Sequence, residues 1–238
     1  MPAQAVSAKQ NLKQNRLLAA LPVRQYRLLQ PYLQTVQLAA HEILHQRGDA
    51  QRHVYFPHNC ILSQHVHIEK ADQKEIDTIG REGIVGIESF LGVAPNYHKI
   101  TVEIAGLAQR VRSAVFRRLA VCDSAQLLMH RYSHARMVVT AQILGCYRFH
   151  AIEARVACWL ALTLDRVKSD TFYITQERIA HILGTRREQV VHAASKLQKL
   201  KIIRYSRGHI TVLHREGLRR HTCRCYKAIN AEYDSFLR

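Results

Sequence analysis

Thr175-Gln176-Glu177-Arg178-Ile179-Ala180-His181-Ile182-Leu183-Gly184-Thr185-Arg186-Arg187-Glu188-Gln189-Val190-Val191-His192-Ala193-Ala194-Ser195-Lys196-Leu197-Gln198-Lys199 reads as two short helices joined by a tight turn. Thr175 stands where an N-cap hydroxyl accepts from an orphan amide, and Glu177 lies in the first turn, where the helix dipole favours an anion. Ile179, Ile182 and Leu183 share one helical face, and Gly184 supplies the stop because it adopts a left-handed backbone without steric cost. Thr185-Arg186-Arg187-Glu188 fits the S/T-x-x-E capping box, so a second helix is expected one residue past the glycine. In it Val190, Ala194 and Leu197 make a core-facing stripe, while Arg186, Arg187, Gln189, His192, Lys196 and Lys199 occupy the remaining face. Such a pair is a helix-turn-helix, whose second helix presents its first residues to base edges while the first crosses the phosphate backbone.

The segment after it adds a wing. Ile202-Ile203-Arg204-Tyr205, a turn at Ser206-Arg207-Gly208 and Ile210-Thr211-Val212-Leu213 compose a β-hairpin. Arg204, Arg207 and His209 near its tip are placed to meet phosphates.

Charge agrees with this reading. The 238 residues carry 35 Lys and Arg against 18 Asp and Glu, a formal net charge of +17. That excess attracts polyanions through a long-range field and counterion release. Residues 151–238 hold 17 basic and 8 acidic side chains, residues 1–150 hold 18 and 10, so the C-terminal part is the more basic per residue. With 47% hydrophobic residues the chain has enough apolar material for real cores. Cys60, Cys122, Cys146, Cys158, Cys223 and Cys225 include no C-x-x-C pair and are expected as reduced thiols, Cys223 and Cys225 among them; no metal ligand set is assigned. The apolar runs Leu17–Leu21 and Val156–Leu164 are too short for a signal sequence or a membrane span, which makes a cytoplasmic protein without membrane contact the expectation.

Texture divides the chain into four parts: a lead-in at 1–35, a β-rich sensor domain at 36–122, a long helix at 123–150 and a winged helix-turn-helix at 151–238. In the second part His53-Val54-Tyr55-Phe56, Ile61 to Ile68, Glu75 to Ile79 and Ile100 to Ile104 are strand-like, with Gly48-Asp49, Pro57-His58-Asn59 and Gly80 between them, as in a barrel or jelly roll. From Asp123, a plausible N-cap, Leu128, Tyr132, Ala135, Val139, Gln142, Cys146 and Phe149 recur by four and three. That spacing suits a coiled-coil seam between two copies of the chain, or packing against the N-terminal domain. A second amphipathic helix, about Ile152–Val167, ends at a hinge, Lys168-Ser169-Asp170. The fold class expected is α+β.

This order of parts resembles the Crp/Fnr family of bacterial transcription regulators. The likeness covers roughly Val36 to Tyr226. It is carried by Glu153-Ala154-Arg155-Val156-Ala157-Cys158-Trp159-Leu160, by Ile174 to Leu183 with Gly184, Thr185 and Arg186-Arg187-Glu188, and by Ile203 to Gly208. Val54-Tyr55-Phe56-Pro57 and Gly80-Arg81-Glu82-Gly83-Ile84-Val85-Gly86 add to it. The resemblance implies a cyclic-nucleotide-binding-like β-roll, a dimerising helix and a recognition helix that reads a near-palindromic site in double-stranded DNA, with RNA polymerase as a further partner of an activator. It places Thr175 and Gln176 against phosphates, Arg187 on guanine and Glu188 on cytosine. Glu188 is equally accounted for by the capping box. Where many members carry a second base-reading arginine this chain has His192.

The effector is left unassigned. Cyclic-nucleotide binders of the family follow a Gly-Glu cassette with an Arg-Ser or Arg-Thr pair; here Gly86-Ile87-Glu88-Ser89-Phe90-Leu91-Gly92 is followed by Tyr97-His98-Lys99-Ile100-Thr101. Lys99 offers a point charge in place of a bidentate guanidinium, which argues against cyclic AMP or cyclic GMP. No cysteine precedes Cys60, so the N-terminal iron-sulfur cluster of oxygen-sensing relatives lacks its ligands.

Two motifs point to rival chemistries. His41-Glu42-Ile43-Leu44-His45 matches the H-E-x-x-H zinc metallopeptidase signature, which works only on a helix. On a strand, as the family register implies, the two histidines stand roughly 13 Å apart and cannot share a metal. His65 and His67 alternate on one strand face and would suit a metal- or haem-responsive regulator of the same fold. Beyond the zinc string the sequence offers no enzyme signature.

Overall fold

The computed structural model describes residues 14–69, 72–93, 96–120 and 122–237; the first thirteen residues of the lead-in lie outside them. The rest of the lead-in folds as α1 (Arg16–Ala20), α2 (Val23–Leu29) and a 3-10 turn at Gln30–Tyr32. Buried Asn15 caps α1 by accepting from the Leu18 amide and donates to the carbonyls of Pro57 and Gly83, which ties the lead-in to the N-terminal domain.

The N-terminal domain is an antiparallel β-roll with strands β1 (Gln34–Leu38), β2 (Ile43–His45), β3 (His53–Pro57), β4 (Ile61–Glu69) and β5 (Asp72–Ile79). A short helix, α3 (Ile87–Phe90), separates these from β6 (Lys99–Ile104) and β7 (Gly106–Arg112). One sheet has the order β1-β7-β3, the other β2-β6-β4-β5. Side chains alternate as a strand requires. Tyr55, Leu62, Val102 and Ala108 fill the space between the sheets, while Val54, Phe56 and Val111 face outward under helices. All four strands expected from sequence are present; β1 and β7, rich in Gln, Thr and Arg, and β2, only three residues long, carry too weak an alternation to be read.

Helix α4 (Ser113–Leu119) seats Phe116 edge-on against Phe56, with ring centroids 5.8 Å apart. Helix α5 (Asp123–Phe149) follows, about 40 Å long at the usual rise, then α6 (Ile152–Val167). The C-terminal half adds β8 (Thr171–Tyr173), α7 (Gln176–Ile182), α8 (Arg187–Lys199), β9 (Ile203–Ser206), β10 (His209–Val212), α9 (Arg215–Arg220) and α10 (Arg224–Ser235). The wing is a three-stranded sheet, β8-β10-β9, with Arg207 and Gly208 in left-handed conformations at its turn. The expected hinge residue Lys168 is also left-handed and ends α6.

The proposed seam on α5 requires correction. Leu128, Tyr132, Ala135, Val139 and Cys146 are buried within the chain itself. The Tyr132 hydroxyl accepts from the Ile84 amide and donates to the Ile84 carbonyl, and its ring meets Phe236 beyond the end of α10. Gln142 donates to the Cys225 thiol. A three-four repeat marks whichever face a helix buries, and here the chain's own β-roll and α10 take that face, leaving only Phe149 of the seam exposed. The opposite side of α5 is left with Leu127, Met137, Val138 and Leu144 exposed, Met137 at 65% and Leu144 at 70%.

Candidate nucleic-acid interface and its supports

Helix α7 starts as the sequence implies, with the Thr175 hydroxyl accepting from the Arg178 amide at 3.1 Å and Gly184 left-handed at φ 58°. Helix α8 departs by one residue from the expected start. Arg186 is its N-cap and makes no side-chain cap bond, while the Thr185 hydroxyl bonds Gln189 Oε1, so the capping box is not formed. Glu188 is thereby free of the cap and stays exposed in the first turn, where the dipole still favours it. Val190, Ala193, Ala194 and Leu197 are buried against the domain core. Arg186, Arg187, Gln189, His192, Lys196 and Lys199 all remain on the solvent side.

Sites remote in sequence meet in one groove. Thr175, Gln176, Glu177, Arg187, Tyr205, Arg207 and Gly208 line an open cleft of about 540 Å³ between the α7 N-terminus, the α8 N-terminus and the wing. Arg204 is exposed on β9, and Arg187 lies 3.9 Å from Glu177. That surface pair is worth little in water and yields readily to a phosphate. His192 stands 3.9 Å from Glu153 on α6 and is otherwise open. Tyr205 fixes the wing by donating its hydroxyl to the Ile174 carbonyl at 2.6 Å.

Three helix arginines dock this half against the β-roll, a feature the sequence reading missed. Arg136 of α5 pairs with Asp77 at 2.5 Å. Arg166 of α6 reaches Glu82 at 2.9 Å and donates to Thr78. Arg178 of α7 donates to both oxygens of Glu103 and, at 2.5 Å, to Glu75. The four carboxylates are almost wholly enclosed. Arg155 spans Tyr147, its guanidinium 4.7 Å from the ring centre, and donates to the Leu183 carbonyl at the end of α7. Nothing local in Glu75 or Glu103 marks them as partners of a helix more than seventy residues away.

Burial, and next the adjacent Glu103 carboxylate, push Glu75 up to about 8 against the pull of Arg178. Between its ordinary value of 4.5 and about 8 the folded chain therefore holds a proton that the unfolded chain releases. This group's contribution to stability accordingly declines as pH rises through that window. Glu75→Gln is expected to flatten the decline and raise the thermal midpoint near pH 8; calorimetry at several pH values showing the same slope as the parent would refute it.

The β-roll holds a cleft of about 570 Å³ against α5, lined among others by Gln51, Glu88, His98, Arg136 and Met137. Arg136 Nη1, Asn96 Nδ2 and His98 Nδ1 are buried donors or acceptors without a partner among the described residues. Lys99, the point charge noted in the sequence, is not part of this lining. His41 has a positive φ in a turn and His45 lies in β2, so H-E-x-x-H is not helical and the peptidase reading is not favoured. His45 instead contacts Gln51, and His65 contacts Thr101.

Residues 154–221 match the model of the Crp-like helix-turn-helix domain. That stretch is a Crp-like helix-turn-helix domain. No curated protein matches the chain by sequence. Among solved structures, a putative cyclic nucleotide binding protein from Ruegeria pomeroyi superposes with TM-score 0.65 at 15% identity, covering 90% of this chain and 98% of that one. FixK2 from Bradyrhizobium japonicum gives 0.64 at 12%, over 80% and 98%. A putative transcriptional regulator of the Crp/Fnr family from Eubacterium rectale gives 0.62 at 16%, over 86% and 96%. At such identities the likeness is one of fold. Among the described residues no helix is long and apolar enough to cross a membrane.

Proposed function

We propose that the chain binds a two-fold DNA operator as a homodimer and that a small molecule in the β-roll cleft modulates this binding. The observation that carries the reading is the gathering of Thr175, Gln176, Arg187 and Arg207 into one open groove at two helix N-termini. Backbone amides, dipoles and guanidinium groups there converge on the place a phosphate would take. Arg187 and Glu188, one step into α8, project where base edges would lie, and Lys196 and Arg204 flank them.

For dimerisation the exposed face of α5 is the best-supported surface. Leu127, Met137, Val138 and Leu144 form an apolar strip on the side turned away from the chain's own core. Recognition helices presented across that dyad would have to stand about 34 Å apart to enter successive major grooves. Met137 and Leu144 also line the sensor cleft, so an occupant of the cleft would bear directly on the subunit contact. The one guanidinium in that cleft, Arg136, is already engaged by Asp77, which supports an effector other than a cyclic nucleotide.

Arg187→Ala is expected to cost about 1–3 kcal/mol on a selected operator and to relax preference at one base pair. Arg207→Ala should instead weaken all duplexes alike and lower the slope of log affinity against log salt by about one. Fluorescence titrations across a salt series test both. An equal loss on random DNA for Arg187→Ala would reject base reading, and an unaltered slope for Arg207→Ala would remove the wing from the interface.

A further inference from the structure

Three cysteines and a histidine meet where the β-roll and the C-terminal half join, with a fourth thiol, Cys158 of α6, against Cys146 and Cys223. Cys146 occupies the last turn of α5, His150 follows that helix directly, and Cys223 and Cys225 open α10. One ligand atom from each lies within 4.8 Å of every other. Cys146 Sγ is 3.5 Å from Cys223 Sγ, and Cys225 Sγ is 3.5 Å from His150 Nδ1.

These separations have a chemical meaning. Four ligands around one zinc ion at about 2.3 Å for sulfur and 2.0–2.1 Å for nitrogen stand some 3.5–3.8 Å apart along the edges of a tetrahedron. The Cys146–Cys223 and Cys225–His150 pairs already have that spacing. An iron-sulfur cluster, which interposes iron and sulfide between its cysteines, would hold them farther apart. A disulfide would require the sulfurs to close to about 2.05 Å.

Two further features fit a metal site. Cys146 and His150 are four residues apart at a helix end and so project to one side. Gln142 Nε2 donates to Cys225 Sγ at 3.0 Å, the outer hydrogen bond that commonly orients a thiolate ligand. Cys146 and Cys225 are buried, so the ion would be largely screened from water.

We propose that Cys146, His150, Cys223 and Cys225 bind a single Zn²⁺ ion that staples α5 to α10 across the junction between the two halves. Binding exchanges the three thiol protons, released to solvent, for three Zn–S bonds, and the neutral imidazole gives its free nitrogen; no electron is transferred. The staple would fix the end of the long helix just before the turn into α6. It rests on side-chain geometry alone and stands or falls independently of the DNA-binding reading.

Full-length protein purified without affinity metals and under reducing conditions is expected to contain one zinc per chain by elemental analysis. Co²⁺ added to the chelator-stripped protein should give the intense visible bands of a tetrahedral site and the near-ultraviolet thiolate-to-metal band, both abolished by one equivalent of Zn²⁺. Cys146→Ser, Cys223→Ser, Cys225→Ser and His150→Ala should each weaken Co²⁺ binding by more than the roughly 10–100-fold seen for losing an outer-shell partner. Cys60→Ser, in the buried β-roll core, should leave it unchanged. Substoichiometric zinc with a featureless Co²⁺ titration of the parent overturns the proposal, and so does a Cys146–Cys223 disulfide in protein isolated anaerobically. Because the parent spectrum decides the matter by itself, a variant that fails to fold does not protect the idea.

Discussion

Replacing Arg178 by alanine should destabilise the folded chain by about 3–5 kcal/mol, the usual penalty for stripping one partner from an enclosed ion pair. The guanidinium serves the side chains of Glu75 and Glu103, which are 1% and 2% exposed. Glu103 has one further hydrogen bond, from Ser63 at 3.2 Å, too little to hold an isolated anion out of water. Because Arg178 belongs to the helix that precedes the recognition helix, the loss should be felt first as undocking of the DNA-binding half from the β-roll. Hydrogen exchange would show it as faster exchange in β5, β6 and α7 before global unfolding. Glu75→Gln and Glu103→Gln together with Arg178→Met, three neutral side chains of similar size, should recover most of the stability, since the ion pairs' own net contribution is small. An Arg178→Ala protein with the parent's midpoint and exchange pattern would show that the contact carries no weight.

Leu144→Glu should turn the proposed dimer into a folded monomer. Leu144 is 70% exposed at the edge of the β-roll cleft, so a carboxylate there costs the monomer little and the subunit contact a great deal. With two half-sites no longer linked, affinity for a full operator should drop by about 10²–10⁴-fold, while affinity for an isolated half-site stays near the parent value. Val139→Glu makes the contrast: that side chain is wholly enclosed, and its replacement should unfold the protein instead of dissociating it. Sedimentation equilibrium paired with circular dichroism separates the two results. A dimeric Leu144→Glu protein would reject the α5 strip as the subunit contact.

The two α5 outcomes illustrate how far periodicity carries. The recurrence of Leu128, Tyr132, Ala135 and Val139 at four and three announces a buried face, and the face is buried. What covers it is a matter of tertiary packing: Ile84 and Phe236 are close in space and far in sequence. The strip on the other side is interrupted by His134 and Arg131 and has no comparable pattern.

Local chemistry in the sequence determined the helix-turn-helix, the wing and four of the roll's strands. An N-cap threonine, a left-handed glycine, a 3.6-residue or two-residue alternation and a hairpin turn each act over a handful of residues, so each is written where it operates. The identity of the exposed cations on α8 followed directly, because the apolar stripe fixes which face is left for solvent. Tertiary structure alone decided which charges would meet. Arg178 finds Glu103 across 75 residues, and the Cys146-x-x-x-His150 and Cys223-x-Cys225 pairs, each unremarkable by itself, converge only because α10 folds back along α5. Ion pairs and ligand sets depend on distances between side chains, and distances between remote segments exist only once the chain has packed.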